Sequence, residues 1–233
     1  MKKYFQIVLI CLISQAVVFS ATYTVGAGKT YADFTQVPAL SGGDIVEIYG
    51  GTYNKYKTWS ASGSEGNPII IRGMSLNKPV VDGTGLVLRG DSGVPRALFE
   101  FWGSHYIIEN LEFKNAYNGS YSGSYNGAGI RIVEGTDITI RNCKITKCEN
   151  GMMSSTTAGK ISVEYCEIGD NGDSTNPTPG YAHNFYMMGE SIRVIGCYIH
   201  DSTAGHNFKS RMHYNELLYN YIVDANSAEV DFV

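Results

Sequence analysis

A single pattern of apolar and polar residues recurs in TDITIRNCKITK (136–147), GKISVEYCEIGD (159–170) and ESIRVIGCYIHD (190–201). Each stretch contains two short runs in which apolar residues alternate with other residues, separated by a bend. Alternation with a period of two is typical of a β-strand that buries one face. The same pattern is found in HYIIENLEFKN (105–115) and YNELLYNYIVD (214–224). We therefore predict five equivalent pairs of strands.

The bend aligns the five stretches and sets the period of the repeat. Four of its five residues are Asn or Gly, which tolerate a left-handed backbone; the five are Asn110, Asn142, Tyr165, Gly196 and Asn220. The bends follow one another at steps of 23 to 32 residues, a spacing typical of solenoid repeats. Since one pair of strands recurs in each step, equivalent strands are predicted to stack in parallel. The fold class is therefore all-β, a right-handed parallel β-helix.

Each repeat also predicts a third strand after the pair, and earlier repeats are recognisable upstream. The third strands are GIRIV (129–133), GMMSS (151–155), NFYMM (184–188), NFKSR (207–211) and EVDFV (229–233). The earlier strands are DIVEIYGGTY (44–53), NPIIIRG (67–73), KPVVDG (78–83) and ALFEFWG (97–103). This gives a single solenoid of about seven rungs. A short helix within Tyr31–Leu40 is predicted to cap its N-terminal end.

The two ends of the chain carry separate predictions. Lys2 and Lys3 precede an apolar run that ends at Phe19, which is the pattern of a secretory signal peptide. We place the cleavage between Ser20 and Ala21, so residues 1–20 are the signal peptide and 21–233 the β-helix domain. The protein is then secreted or periplasmic, with no membrane span in the mature chain. The sequence stops inside an apolar strand, so we expect the domain to be incomplete at its C-terminus.

Composition excludes several classes of protein. The 233 residues are 43% hydrophobic and 17% charged, which is typical of a globular protein and not of a disordered one. The net charge is −4, and removal of the two lysines of the signal peptide makes it −6. Because nucleic-acid binding requires a basic surface, this class of partner is not expected. We expect the mature chain to be a monomer.

The cysteines of the repeat fall into one inward column. Cys143, Cys166 and Cys197 each follow the bend directly, and Cys148 lies outside this column. Buried free cysteine behaves as a small apolar residue, so a stack of thiols is predicted. Export also permits disulfides, which remain an alternative. The spacings match no zinc-binding pattern.

The third strands present the most promising functional residues on their outward side. The central outward column is Glu100, Arg131, Met153, Tyr186, Lys209 and Asp231. The column before it is predicted to point outward as well and includes Asn184, Asn207 and Glu229, with His183 and His206 just ahead and Arg211 just after. Adjacent rungs lie about 5 Å apart, so these side chains form one patch.

Long insertions are predicted to wall a groove beside this patch. They span 115–127 and 171–184 and carry Tyr117, Tyr121, Tyr125 and Tyr181. Long loops on a rigid scaffold often bind ligands. Aromatic rings and polar groups along a straight cleft suit a linear, hydroxyl-rich polymer. The candidate substrate-binding residues are Tyr186, Asn184, Asn207, His183, Arg131 and Tyr181.

The sequence resembles a known family at three places. GGDIVEIYGGTY, with the strands that follow to position 83, is similar to the start of exported parallel β-helix polysaccharide lyases of the chondroitinase-B and alginate-lyase type. HYIIENLEFKNA (105–116) fits the same pectate-lyase-like superfamily. NFKSRMHYNELLYN (207–220) resembles the strand of that family that carries the catalytic lysine.

This resemblance implies cleavage of an acidic polysaccharide by β-elimination. Lys209 matches the family's base, and Arg211 or His206 would bind or neutralise a uronate carboxylate. The family's catalytic arginine is expected near position 231, where this chain has Asp231. The acidic calcium-binding pair is replaced by Thr203, Gly205 and His206. Calcium is thus a possible cofactor only through Glu229 and Asp231, the candidate metal ligands.

Two other functions are compatible with the residues. A glycoside hydrolase needs two carboxyl groups about 5 to 9.5 Å apart. Glu229 and Asp231 are two residues apart on one strand, which spaces outward side chains by about 7 Å. A carbohydrate-binding or structural rod without catalytic activity is the third interpretation.

Overall fold

The computed structural model describes residues 20–118, 127–173 and 182–233. Its first ten strands are β1 Thr22–Val25, β2 Ile45–Ile48, β3 Thr52–Tyr53, β4 Lys57–Trp59, β5 Ile69–Gly73, β6 Val80–Asp82, β7 Ala97–Phe101, β8 Tyr106–Glu109, β9 Glu112–Lys114 and β10 Ala128–Ile132. The next ten are β11 Ile138–Arg141, β12 Lys144–Thr146, β13 Asn150–Ser154, β14 Lys160–Glu164, β15 Glu167–Gly169, β16 Phe185–Ile195, β17 Tyr198–His200, β18 Phe208–Leu218, β19 Tyr221–Val223 and β20 Val230–Phe232.

The strands form the walls of a parallel solenoid. Each rung consists of a first, a second and a third strand, as in β8, β9 and β10. The second strands stack in parallel as a seven-stranded sheet in the order β19-β17-β15-β12-β9-β6-β3. First and third strands share a thirteen-stranded sheet, because β16 and β18 are eleven residues long and supply both. The chain is thus a right-handed parallel β-helix, as predicted.

The predicted columns match the observed register in the middle rungs. Ile140 pairs with Ile108 on one side and Val163 on the other, and all three are fully buried. The bends at Asn110, Asn142, Tyr165 and Gly196 have left-handed φ values between 48° and 65°. The core is therefore a stack of similar apolar layers, as the alternation of the sequence predicts.

The last rung departs from the prediction by one residue. Tyr219, and not Asn220, occupies the left-handed bend, with φ of 55°. Leu217 consequently pairs with Val194. Asn220 takes the place of the inward cysteine, where its side chain accepts from the Cys197 amide at 2.8 Å and donates to the Val194 carbonyl at 2.9 Å. These two hydrogen bonds explain why the asparagine is not at the bend.

The cysteine column lies inside the solenoid. Cys143, Cys166 and Cys197 are free thiols with at most 2% exposure. The amide of Cys143 lies 3.4 Å from the sulfur of Cys166, and the amide of Cys166 lies 3.4 Å from the sulfur of Cys197. Cys148 is also a buried free thiol. The structure confirms the predicted stack of thiols, and these four cysteines form no disulfide.

These thiols are expected to be unreactive in the folded protein. Burial raises the pKa of Cys148 to about 12 and also raises the pKa of Cys166, and the thiolate is the reactive form. A protein beginning at Ala21 should therefore leave Ellman's reagent unreacted in native buffer and release four equivalents in denaturant. Rapid reaction of any thiol in native buffer would contradict the buried column.

The N-terminal cap is smaller than predicted. The segment from Tyr31 to Leu40 contains one turn of 3₁₀-helix, Phe34–Gln36. Phe34 is fully buried, and its ring centre lies 5.0 Å from that of Phe99. The ammonium group of Lys57 donates to the Phe34 carbonyl at 2.9 Å and to the Val37 carbonyl at 3.1 Å. These contacts hold the turn over the core, and Pro38 does not allow a longer helix.

The predicted signal peptide falls outside the described residues, except for Ser20. Among residues 20–118, 127–173 and 182–233, no helix has the length and apolar character needed to cross a membrane. Export and the position of the cleavage site remain predictions.

Candidate functional site

The outward column of the third strands is arranged as predicted. Arg131 pairs with Glu100 and Met153, Met153 with Tyr186, and Tyr186 with Lys209. Lys209 in turn pairs with Asp231. Successive strands of this sheet lie about 4.8 Å apart, so the column forms a straight row across the rungs.

Four polar side chains meet at the C-terminal end of this row, and we call His183, His206, Lys209 and Asp231 the His–Lys cluster. The ammonium nitrogen of Lys209 lies 3.0 Å from Oδ2 of Asp231. Nε2 of His206 lies 3.3 Å from the same oxygen. Nδ1 of His206 lies 3.2 Å from Nδ1 of His183. A cation, a carboxylate and two imidazoles are therefore in continuous contact.

The two imidazoles are neutral at neutral pH. Burial, reinforced by the neighbouring His206 and Lys209, lowers the pKa of His183 to about 3. Burial and the Lys209 charge also lower the pKa of His206, although Asp231 opposes this effect. The hydrogen bond from Lys209 lowers the pKa of Asp231 below its usual range. At pH 7 the cluster thus holds an ion pair between Lys209 and Asp231 next to two uncharged imidazoles.

Tyr186 and Arg211 extend the cluster along the sheet. The ring centre of Tyr186 lies 5.4 Å from that of His183. The guanidinium carbon of Arg211 lies 5.9 Å from the centre of the Tyr186 ring, within the range of a cation–π contact. Arg211 is exposed, so a second cation is available to a ligand beside Lys209.

Arg131 lies away from this cluster. It is three strands from Lys209 in the row, with Met153 and Tyr186 between them. Its guanidinium group donates to the carboxylate of Glu100 at 3.1 Å. Glu100 is 6% exposed and also accepts from the indole of Trp102. Arg131 therefore belongs to a separate ion pair near the N-terminal rungs.

The prediction that Asn184 and Asn207 point outward is wrong. Both are fully buried in an asparagine ladder, in which the amide of Asn171 donates to Asn184 at 2.8 Å and Asn184 donates to Asn207 at 2.7 Å. The ladder ends at Glu229, which accepts from Asn207 at 2.6 Å. The two asparagines lie just before β16 and β18, where the chain is still turning, so the alternation of a strand does not apply. Their amides are used inside the protein and cannot contact sugar.

Glu229 and Asp231 do not form a calcium site with the residues present. Glu229 accepts from Asn207 and from the backbone amide of Ala225, while Asp231 is engaged by Lys209 and His206. Calcium takes six to eight oxygen ligands, but the groups around these two carboxylates are nitrogen donors. The same contacts weigh against a hydrolase pair, because Glu229 is committed to the asparagine ladder.

A different group of possible metal ligands occurs where the second strands end. One donor atom from each of Asp170, His200 and Asp201 lies within 4.8 Å of the others. Nδ1 of His200 is already 2.6 Å from Oδ2 of Asp201, so the pair is joined by a hydrogen bond. Sequence reasoning missed this group, although Asp170 and Asp201 directly follow the paired strands β15 and β17 of consecutive rungs.

The loops expected to wall the groove fall largely outside the described residues. Tyr121, Tyr125 and Tyr181 are among those not described, and Tyr117 is 41% exposed. Concave surfaces are found on other faces, including a cavity of about 360 Å³ lined by Thr139, Ser162 and Arg193. That cavity lies on the outer side of the first strands, where no comparable contact of imidazole, ammonium and carboxylate is found among the described residues. The His–Lys cluster is therefore the candidate site by its chemistry.

Comparison with known proteins identifies the fold. No protein-family model matches the sequence, and no curated protein matches it. Among solved structures, pectate lyase Pel9A superposes with a TM-score of 0.64 at 17% identity over 84% of this chain and 52% of its own. Pectin methylesterase PemA from Erwinia chrysanthemi superposes with a TM-score of 0.57 at 11% identity, over 90% of this chain and 67% of its own. GH136 lacto-N-biosidase from Eubacterium ramulus superposes with a TM-score of 0.58 at 13% identity, over 87% of this chain and 44% of its own.

The chain spans about half the length of Pel9A and two thirds of PemA. At such low identities the likeness extends to the architecture of the solenoid and not to individual site residues. The chain has the right-handed parallel β-helix fold that these solved structures share.

Proposed function

We propose that the protein is an exported polysaccharide lyase that cleaves a uronate-containing polymer by β-elimination at the His–Lys cluster. The observation that supports this best is the shared contact of Lys209 and His206 with one oxygen of Asp231. A pectate lyase, a pectin methylesterase and a lacto-N-biosidase use the same scaffold, which supports a carbohydrate as the substrate. Export and a monomeric state remain part of the proposal.

β-Elimination requires a cation for the uronate carboxylate and a base for the neighbouring proton. Lys209 was expected to be the base, but its side-chain nitrogen lies 3.0 Å from Oδ2 of Asp231 and is engaged in this ion pair. We therefore assign Lys209 and Arg211 to the carboxylate, whose negative charge grows in the enolate-like transition state. We assign His206 as the base, because burial and the Lys209 charge lower the pKa of its imidazole, and its Nε2 lies 3.3 Å from the Asp231 oxygen that Lys209 also contacts.

The bond changes balance as follows. The imidazole of His206 accepts the proton from the carbon next to the uronate carboxylate, and the electrons of that C–H bond form a carbon–carbon double bond. The bond between the ring and the glycosidic oxygen breaks, and the leaving oxygen takes a proton from the imidazolium or from water. Tyr186 is half-buried beside the cluster, with its ring centre 5.4 Å from that of His183, and can contact the sugar ring.

Removal of Lys209 or His206 is expected to lower the rate of uronate cleavage about 10²-fold or more, the usual contribution of acid–base and electrostatic groups. The assay incubates polygalacturonate, alginate and chondroitin with the protein and follows the unsaturated product, which absorbs near 232 nm (roughly, as for conjugated elimination products). The variants are Lys209→Ala and His206→Ala.

Lys144→Ala is the matched control, since Lys144 forms a similar ion pair with Glu167 at 2.7 Å on the second-strand sheet. It should retain full activity. Absence of unsaturated product with the unmodified protein on all three polymers would overturn the proposal. Equal losses in Lys209→Ala and Lys144→Ala would assign the effect to stability.

A further inference from the structure

A groove crosses the outer face of the first strands, away from the His–Lys cluster. Two cavities of about 360 and 370 Å³ adjoin there and share Asp137, Thr139 and Lys160 in their linings. The combined lining runs from Pro68, which directly precedes β5, to Tyr214 in β18. Since β5 and β18 are five strand spacings apart in the sheet, the groove is straight and about 24 Å long.

Short hydroxyl side chains form the floor of this groove. Thr139 pairs with Ser162 on the next rung, and both point outward because they alternate with buried isoleucine and valine. Ser191 lines the groove one rung further. The hydroxyl of Ser162 donates to Glu164 at 2.9 Å, so its lone pairs remain for a ligand. Because hydroxyls can both donate and accept, this floor is suited to a ligand that is itself rich in hydroxyl groups.

The ionisable groups of the groove are mixed in sign. They are Lys160, Arg193, His105, Glu65, Asp137 and Glu216. Nε of Arg193 lies 2.6 Å from a Glu216 oxygen, and Nδ1 of His105 lies 3.9 Å from Asp137. An acidic polymer would meet carboxylates at both ends of the groove, and like charges brought together oppose binding. The groove therefore favours an uncharged ligand.

An exposed aromatic ring stands at the C-terminal end of the groove. Tyr214 is 61% exposed and pairs with Ser191 of the floor. A tyrosine ring offers an apolar face and a hydroxyl at its tip. A sugar ring has the matching character, with C–H groups on its faces and hydroxyls around its rim. The ring and the hydroxyl floor are thus complementary to the same ligand.

We propose that this groove is a second carbohydrate site, which binds an extended segment of an uncharged, hydroxyl-rich polysaccharide. The proposal does not rest on the lyase activity, because binding of such a polymer requires no cleavage. The two sites are separate surfaces: Tyr214 follows Lys209 by five residues along β18, a chain length of at most about 17 Å. A protein with both sites could be held on a neutral polymer while the His–Lys cluster acts on an acidic one.

The test is electrophoresis of the unmodified protein in native gels that contain hydroxyethylcellulose, xyloglucan or galactomannan, with polygalacturonate as the acidic polymer. We expect retardation by at least one uncharged polymer. Tyr214→Ala removes the ring, and Thr139→Trp fills the floor. Each variant should weaken the binding by at least about 10-fold, as is usual for a central contact. Circular dichroism establishes that each variant is folded, and the two substitutions affect different strands.

Tyr221→Ala is the matched control, because Tyr221 is 63% exposed but stacks on Tyr198 of the second-strand sheet. It should bind like the unmodified protein. Absence of retardation by all three uncharged polymers overturns the proposal, as does equal weakening by Tyr221→Ala and Tyr214→Ala. Lys209→Ala should still be retarded by the uncharged polymer, and loss of this retardation would overturn the separation of the two sites. Retardation of a protein that shows no lyase activity would contradict the proposed function and support the second site.

Discussion

Replacement of Asn184 by alanine is expected to lower the free energy of unfolding by about 3 to 5 kcal/mol. The side chain is fully buried and donates to the His200 carbonyl at 2.7 Å and to Asn207 at 2.7 Å. It also accepts from the amide of Asn171 at 2.8 Å. Alanine would leave three buried polar groups without this partner, each at a cost of about 1 to 3 kcal/mol.

Urea unfolding followed by circular dichroism measures this change, with Asn54→Ala as the matched control. Asn54 also makes two side-chain hydrogen bonds to backbone carbonyls, at 2.8 and 2.9 Å, but it is exposed. Because water can replace its contacts, the control should cost less than about 1 kcal/mol. Equal losses in the two variants would show that burial of the asparagine ladder does not determine its contribution.

Acid is expected to destabilise the protein through His183. Its pKa is near 6.5 in the unfolded chain and about 3 in the folded protein, so between these values only the unfolded state binds the proton. Stability is therefore complete above about pH 6.5 and is lost as the pH falls toward 3. Each unit of pKa difference corresponds to about 1.4 kcal/mol, which gives a loss on the order of 5 kcal/mol across the whole window.

The measurement is the free energy of unfolding at pH 7, 6, 5 and 4 for the unmodified protein and for His183→Gln. Glutamine does not titrate, so the variant should lose less stability on acidification than the unmodified protein. The difference should grow steadily below pH 6.5. Parallel pH dependences of the two proteins would mean that His183 is protonated freely in the folded state.

Strict periodicity explains why the fold could be predicted. Ile140 and Cys166 lie in columns that repeat in each rung, and the structure places both inside the solenoid. The last rung was misaligned because Asn220 was assigned to the bend from its tolerance of a left-handed backbone. Tyr219 occupies that conformation instead, while Asn220 forms hydrogen bonds to the preceding rung. Such tertiary hydrogen bonds cannot be deduced from a residue preference.

The candidate site was predictable in position but not in its contacts. The repeat places Lys209 and Asp231 on adjacent rungs, and the structure agrees. The sequence does not tell whether Lys209 turns toward Asp231 or toward Arg211, since both are about equally near along the sheet. Asn184 and Asn207 were misplaced because a period of two applies within a strand and fails at the turn before it.

The long strands β16 and β18 restrict the positions at which this protein can accept inserted residues. In earlier rungs a short connection separates third from first strand, as between β10 and β11. In the rungs of Tyr186 and Lys209 the chain passes this corner without leaving the sheet, so an inserted segment there would break continuous backbone pairing. Insertions in these rungs are therefore expected at the other two corners. One of them lies between the second and third strands and borders the His–Lys cluster, so sequence added there would change the surroundings of the cluster while leaving the strand pairing intact.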